Sequence, residues 1–494
     1  MKSGGAPISV VAIAVALLFS LTGCQRASEP PGANAPKPVA ASASDKYSRE
    51  QLAERTVRRR AVEAVIWGIP AVNYDLMRQE MLSKTAGKVG QIIYWGKPLD
   101  WHNQTLTPNP DTLYFMGFLN LAESGPMVAE IPPADTGALN FNIVTVWQQP
   151  LEDAGALGVD KGAGVKLLVV PPGYEKPTPK GYNVLRPDTS GVYFLYRSNL
   201  KSHDDADVAA SVAYGKRVKV YPLSQAGKPP VTVFTDVQGI DFDSTIRYDA
   251  SFFDNLNRVV QEQPWLGRDR AFIDTLKSLG IEKGKSFSPD AATKKIFDDA
   301  ALEARAWLDD KYDAGWAVMF EGTHWRAAAP APLVKAAQSE FADPNEYPID
   351  IRGLTYSFAY IGLKRLGVGQ FYLIAIADKG GNSMDGAKHY RLHVPPNVPV
   401  EQYWSVTVYD RETHALVKNM PQASRASNNT SLQKNDDGSV DIYFGPSAPA
   451  GKESNWVPTD PKREFELMFR LYGPTKALFD KLWTLPDVEL EGRS

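Results

Sequence analysis

The residues best placed to do chemistry lie in the run Thr107-Pro108-Asn109-Pro110-Asp111-Thr112-Leu113-Tyr114. Asp111 stands directly before a stretch that reads as a strand, and Tyr114 follows three residues on. A carboxylate, an amide and a phenol gathered at one strand end can orient a polar ligand, or serve as general acid or base. The same residues also have a structural use. Asp111 can cap a turn and Asn109 can satisfy backbone groups, so both uses stay open at this point.

Two further candidates come late in the chain. Tyr409 belongs to a run in which Tyr403, Ser405, Thr407 and Tyr409 share one face of a strand, with Trp404, Val406 and Val408 on the other. Arg470 sits among apolar neighbours. A buried arginine needs a partner, so it is expected to pair with a carboxylate or, alternatively, to recognise an anion. His389 and His393 would share a face on a helix, but KHYRLHVPP reads as a strand, where four residues separate side chains by about 13 Å. One ion cannot bridge that distance. Asp378, Asn382 and Asp385 read as a turn held by Asx side chains rather than a calcium loop. Residues 158–166 lack the spacing of a phosphate-binding loop, and no G-x-S-x-G or H-E-x-x-H pattern occurs. The pattern therefore asks for no metal and no cofactor. Tyr94, Trp95, Trp101, Tyr114, Phe115 and Trp147 can be stacking platforms for sugars or aromatic ligands, or plain core.

These groups need a frame. Ser48 with Gln51 three residues later predicts a capping box, with Leu52, Val57, Ala61, Val62, Val65 and Ile66 at helical spacing. Gly68 and Pro70 are expected to end that helix, and a second short one covers 72–82. Alternating apolar runs predict strands at 139–147, 165–170 and 192–197. Helical texture fills the middle of the chain. Strands return at 371–377, 388–394, 403–409, 440–444 and 465–471, with a hairpin at Asp436-Asp437-Gly438 and a last helix over 476–483. The fold class expected is mainly β with helical additions (α+β), as two β domains joined by a helical segment. The boundaries are 46–235 for the N-terminal β domain with its leading helices, 236–365 for the largely helical connection and 366–494 for the C-terminal β domain.

Before residue 46 the chain reads as an address. Lys2 and an apolar stretch over 8–21 lead to Leu21-Thr22-Gly23-Cys24. The stretch is too short to span a bilayer, which takes about twenty residues, and the last four residues resemble the lipobox of a bacterial lipoprotein. Residues 1–23 are then a signal peptide, and Cys24, the one cysteine, is the acylated anchor to the lipid bilayer. Gln25 in place of an aspartate resembles sorting to the outer membrane, facing the periplasm. Residues 24–45, rich in Pro, Ala and Ser, form a disordered tether spanning on the order of 25 Å. With 54 Lys and Arg against 57 Asp and Glu, the net charge is −3, which excludes a nucleic-acid partner.

Two stretches carry a family resemblance. The N-P-D-T-x-Y pattern at Asn109 to Tyr114, followed by Pro171-Pro172-Gly173 and Val192-Tyr193, resembles domain-of-unknown-function family 1254. Tyr403-Trp404-Ser405-Val406-Thr407-Val408-Tyr409-Asp410, then Asp437-Gly438-Ser439, Asn455-Trp456-Val457-Pro458 and Arg470-Leu471-Tyr472-Gly473-Pro474, resembles family 1214. The resemblance implies two β-sandwich or barrel-like (jelly-roll-like) domains. Family 1214 usually carries a tyrosine between the arginine and the serine of an N-P-x-x-R-Y-S stretch, where this chain has Arg425-Ala426-Ser427. The function expected is binding or processing of a small-molecule or oligosaccharide-like ligand between two β domains. One version is a hydrolase using carboxylate or tyrosine chemistry, and its rival is a non-catalytic binding or scaffold lipoprotein, with a homo-oligomer compatible with either. Convergence of Asn109, Asp111, Tyr114 and Arg470 on one concave pocket would favour the enzyme. Replacing Cys24 with Ala should release the protein from membranes or leave an uncleaved precursor. Metabolic labelling with a fatty-acid analogue checks this, since a label retained by Cys24→Ala would contradict it.

Overall fold

Ser48 and Gln51 close the capping box. The Gln51 N–H donates to Ser48 Oγ (3.2 Å), and the Ser48 N–H donates to Gln51 Oε1 (2.9 Å). In the computed structural model, which describes residues 46–328, 330–359, 362, 364–365 and 369–492, the helix that starts here runs over Arg49–Lys84. The expected signal peptide over 1–23, Cys24 and the expected tether over 24–45 lie outside the described residues. The break expected at Gly68 and Pro70 does not occur. Residues 64–77 are all buried, so packing overrides the cost of a proline inside the helix. Gln148 Nε2 donates to the Pro70 carbonyl (3.0 Å), and a side chain at Gly68 would come within 3.1 Å of Leu256.

The described residues from Leu52 onward form one compact unit of mixed α+β structure built on two pairs of sheets. In the first half, strand Thr112–Asn120 lies between Ile92–Tyr94 and Gly191–Asn199 in a six-stranded sheet, completed by Phe234–Asp236, Leu139–Thr145 and Pro150–Gly155. The alternation along these strands sends Phe115, Phe141, Phe194 and Tyr196 to one face, against the four-stranded sheet that contains Met127–Ile131 and Val165–Val169. The opposite face carries Tyr114, Met116, Phe118 and Leu195.

The second half repeats the plan. Glu464–Pro474 pairs with Gln370–Ala375 on one side and Val400–Asp410 on the other, within a second six-stranded sheet. Trp404, Val406, Val408, Leu467 and Phe469 pack on the sheet that contains Tyr390–Val394 and Val440–Gly445. Ile374, Tyr409 and Met468 point the other way and share one core with Tyr114, Met116, the long helix and residues of helices Ser251–Glu262, Ala291–Ala314 and Ile349–Phe358. The two inner faces therefore look at each other, and among the described residues no sheet closes into a barrel.

Two further local expectations fail. Asp436-Asp437-Gly438 makes a turn, with Gly438 at φ 84° and its N–H on the Asn435 carbonyl (2.9 Å), but no hairpin. The segment before it engages Asn455 through the Gln433 backbone, and Val440–Gly445 pairs with Tyr390–Val394 instead. The last helix stops at Phe479, because Lys481 turns to φ 57° and the Leu482 N–H returns to the Ala477 carbonyl (3.0 Å).

Gly117 shows how tightly the Thr112–Asn120 strand is held. A Cβ there would lie 2.5 Å from the Phe194 ring and 2.7 Å from the Gln91 carbonyl oxygen. Gly117→Ala should cost about 1–3 kcal/mol in urea unfolding, and an unchanged midpoint would show that the sheet gives way more easily than this packing implies.

Candidate functional site

Between the two inner sheet faces lies a cavity of about 310 Å³. Its walls are mostly apolar, with Met77, Leu106, Met116, Leu195, Phe358 and Met468 among them. One corner is not. Arg197, from strand Gly191–Asn199, and Arg470, from strand Glu464–Pro474, both line it and are 5% and 1% exposed.

Arg197 donates from Nε to the Tyr114 hydroxyl and from Nη1 to Asn142 Oδ1, each at 3.2 Å, and its guanidinium lies 5.2 Å from the centre of the Tyr114 ring. Arg470 donates from Nη1 to Thr407 Oγ1 (2.9 Å) and from Nη2 to the Thr107 carbonyl (2.9 Å) and the Tyr409 hydroxyl (2.5 Å). It lies 5.3 Å from the centre of the Tyr372 ring. Every partner is neutral, and no carboxylate among the described residues forms an ion pair with either arginine. The carboxylate expected for Arg470 is therefore missing, and the strand explains why. Glu466 shares the face of Arg470, but four residues put it about 13 Å away, where it bonds His414 Nδ1 (2.8 Å) and the Tyr312 hydroxyl (2.9 Å).

Burial pushes both guanidiniums down, but the surrounding phenols, Tyr114 for Arg197 and Tyr409 for Arg470 foremost, outweigh it and leave both raised. Those phenols are no counter-ions at neutral pH. Desolvation pushes Tyr372, Tyr409 and Tyr472 up, so they stay protonated. Among the described residues the corner thus holds two cations and no anion.

Asn109 is knotted into the wall. Its N–H donates to the Tyr114 hydroxyl (2.9 Å), its Nδ2 to the Tyr472 hydroxyl (2.5 Å), and its Oδ1 accepts from the Asp111 N–H (3.0 Å). Tyr409 donates its hydroxyl to the Pro108 carbonyl (2.5 Å). The structure therefore brings Asn109, Tyr114 and Arg470 to the cavity, with Tyr409 behind Arg470. Asp111 does not line it. Its Oδ1 accepts from Ser424 Oγ (2.7 Å), and His203 Nε2 stands 3.9 Å away. Sequence reasoning missed Arg197 and Tyr372. The signal for Arg197 was the one used for Arg470, an arginine inside an apolar strand. Ala426, where family 1214 usually carries a tyrosine, packs with Tyr403 and Tyr472. His393 bonds Asp441 from its strand (2.8 Å), and Asp378 Oδ1 accepts from the Gly380 and Asn382 N–H groups as an Asx turn does.

Comparison with known proteins follows this division. Residues 89–222 match the model of a protein family of unknown function, DUF1254, and residues 369–476 match that of a second, DUF1214. The two matches follow one another in N- to C-terminal order. Asn109, Tyr114 and Arg197 come from the first, and Tyr372, Tyr409, Arg470 and Tyr472 from the second, so the cationic corner is built by both. The crystal structure of the VPA0106 protein from Vibrio parahaemolyticus shares the fold at 19% identity and a TM-score of 0.55, over 88% of this chain and 100% of that one. A putative uncharacterized protein from Burkholderia cenocepacia aligns at 11% identity and a TM-score of 0.40, over 91% and 96% of the two chains. A search of curated proteins finds no match.

Asn109→Ala removes the partners of the Asp111 N–H and the Tyr472 hydroxyl at once, and should cost about 2 kcal/mol or more in stability. Asp111→Asn keeps shape and the Ser424 contact and should cost less than about 1 kcal/mol. Thermal denaturation of the pair checks this, and equal losses would contradict the difference in their roles.

Proposed function

We propose that this chain is a binding protein of the cell envelope, tethered through an acylated Cys24 at the outer membrane, whose cavity holds a small amphipathic anion. A carboxylate on an apolar chain is the class that fits best. The observation that carries the reading is the pair of buried guanidiniums without a carboxylate. A buried charge without a counter-ion costs several kcal/mol, and an anionic head between Arg197 and Arg470 would offset that cost with charge-assisted hydrogen bonds. The apolar remainder of the cavity suits the tail. At about 310 Å³ it stands at the small end of ligand sites, with room for on the order of ten groups of water size at about 30 Å³ each. Binding is favoured over hydrolysis by the arrangement around Asp111. Ser424 holds the Asp111 carboxylate, which does not line the cavity, so the carboxylate that a hydrolase would use is not placed to act on a ligand bound there.

Titration calorimetry with decanoate tests the reading. Arg197→Met should weaken binding by at least about tenfold, or about 1.4 kcal/mol, without lowering the melting temperature, because it removes an unpaired buried charge. Unchanged affinity in this variant would overturn the assignment. The affinity should also be flat between about pH 6 and 9. Both guanidiniums and the phenols Tyr372, Tyr409 and Tyr472 are held up, so none of them changes charge there, and binding should fall only below about pH 5, where the ligand itself protonates. A rise or fall centred near neutrality would implicate a group outside this corner.

A further inference from the structure

On the other side of the Asn109 turn, away from the cavity, lies a second cluster of polar groups. Asp111 is 3% exposed; Ser424 holds its Oδ1, while its Oδ2 has no protein partner among the described residues. His203 Nε2 stands 3.9 Å from Oδ1, too far for a hydrogen bond, and neither ring nitrogen finds a hydrogen-bond partner among the described residues. The same is true of Arg425 Nε and Asn428 Oδ1. These groups come from three separate stretches: the turn before strand Thr112–Asn120, the loop before helix Asp205–Gly215, and the strand Ser424–Ala426 with the turn after it. Asn428 Nδ2 ties the last two together by donating to the Leu200 carbonyl (3.2 Å). Asp207 Oδ2 accepts the N–H groups of Lys201, Ser202 and His203, which fixes the loop that carries the imidazole.

A buried polar atom left without a partner costs about 1–3 kcal/mol, and these three stretches carry Asp111 Oδ2, both His203 ring nitrogens, Arg425 Nε and Asn428 Oδ1 in that state. The set is mixed in kind. The Asp111 and Asn428 oxygens only accept, the Arg425 N–H only donates, and a neutral imidazole does one of each. A carboxylate or an ammonium ligand would serve half of these groups. Neighbouring hydroxyls, each donating and accepting, serve all of them. The charges also balance. Burial pushes the Arg425 guanidinium down to about 10 and the Asp111 carboxylate opposes that shift, so one cation faces one anion and a charged ligand gains nothing. We propose that Asp111, His203, Arg425 and Asn428 form a second binding site, separate from the apolar cavity, for a neutral polyhydroxyl ligand of the sugar class.

Saturation-transfer NMR on the full-length protein in detergent, with glucose, galactose and mannose as probes, tests this. At least one hexose should receive saturation, and Asp111→Asn and His203→Gln should each weaken its binding by at least about tenfold, or about 1.4 kcal/mol. Both variants should bind decanoate within about twofold of the wild type, which separates this site from the cavity and confirms folding. Absence of saturation in all three hexoses, or a signal that survives in both variants, would overturn the proposal and leave the cluster as a place for ordered water only.

Discussion

Two guanidinium charges, buried between facing sheets with no carboxylate among the described residues to meet them, set the terms for the rest of this structure. Each comes from a different half of the chain, so the corner they form exists only when the two inner faces are held together. The bolts are polar and local. Arg470 bonds the Thr107 carbonyl, Tyr409 bonds the Pro108 carbonyl, and Asn109 bonds Tyr472, so the turn before strand Thr112–Asn120 is fastened to the second sheet by groups that also line or back the cavity. The carboxylates that could have neutralised the arginines are engaged elsewhere. Asp153 holds Asn142 (2.9 Å), and Glu466 holds His414 and Tyr312. A low-dielectric wall of protonated phenols around two cations is costly when empty, which is why the corner reads as a place for an anion.

Much of this frame was legible in the residues. Strands with a two-residue alternation were found where they occur, because one face of each is packed and the pattern must repeat with the pleat. The face that carries Tyr403, Ser405, Thr407 and Tyr409 was assigned correctly from that alternation alone. What failed was local punctuation overruled by packing. Gly68 and Pro70 are helix breakers by propensity, yet fourteen consecutive residues around them, 64–77, are buried, and that burial outweighs one lost hydrogen bond. Asp437-Gly438 turns the chain as expected, but the partner strand lies far away in sequence, a fact that no short window contains.

The site shows the same division. Arg470 was found because an arginine among apolar neighbours is conspicuous, but its surroundings were misjudged, since the absence of a carboxylate depends on register across three strands. Asn109 and Asp111 stand two residues apart and were read as one site. The structure separates them. Asn109 faces the cavity and Asp111 faces His203, Ser424 and Arg425, because neighbouring side chains leave a turn in different directions. The chemistry on the two sides differs accordingly, cationic and apolar on one, neutral in sum and polar on the other.

The central claim is that the cavity selects for charge at its arginine corner. The direct measurement compares decanoate with decanol, equal in chain length and different in head group, by calorimetric titration of the same protein at neutral pH. Decanoate should bind at least about tenfold more tightly, since only its head carries the charge that Arg197 and Arg470 lack in a partner. Equal affinity for the alcohol, or tighter binding of it, would show that the guanidiniums are satisfied by their tyrosines and carbonyls, and the account would fall.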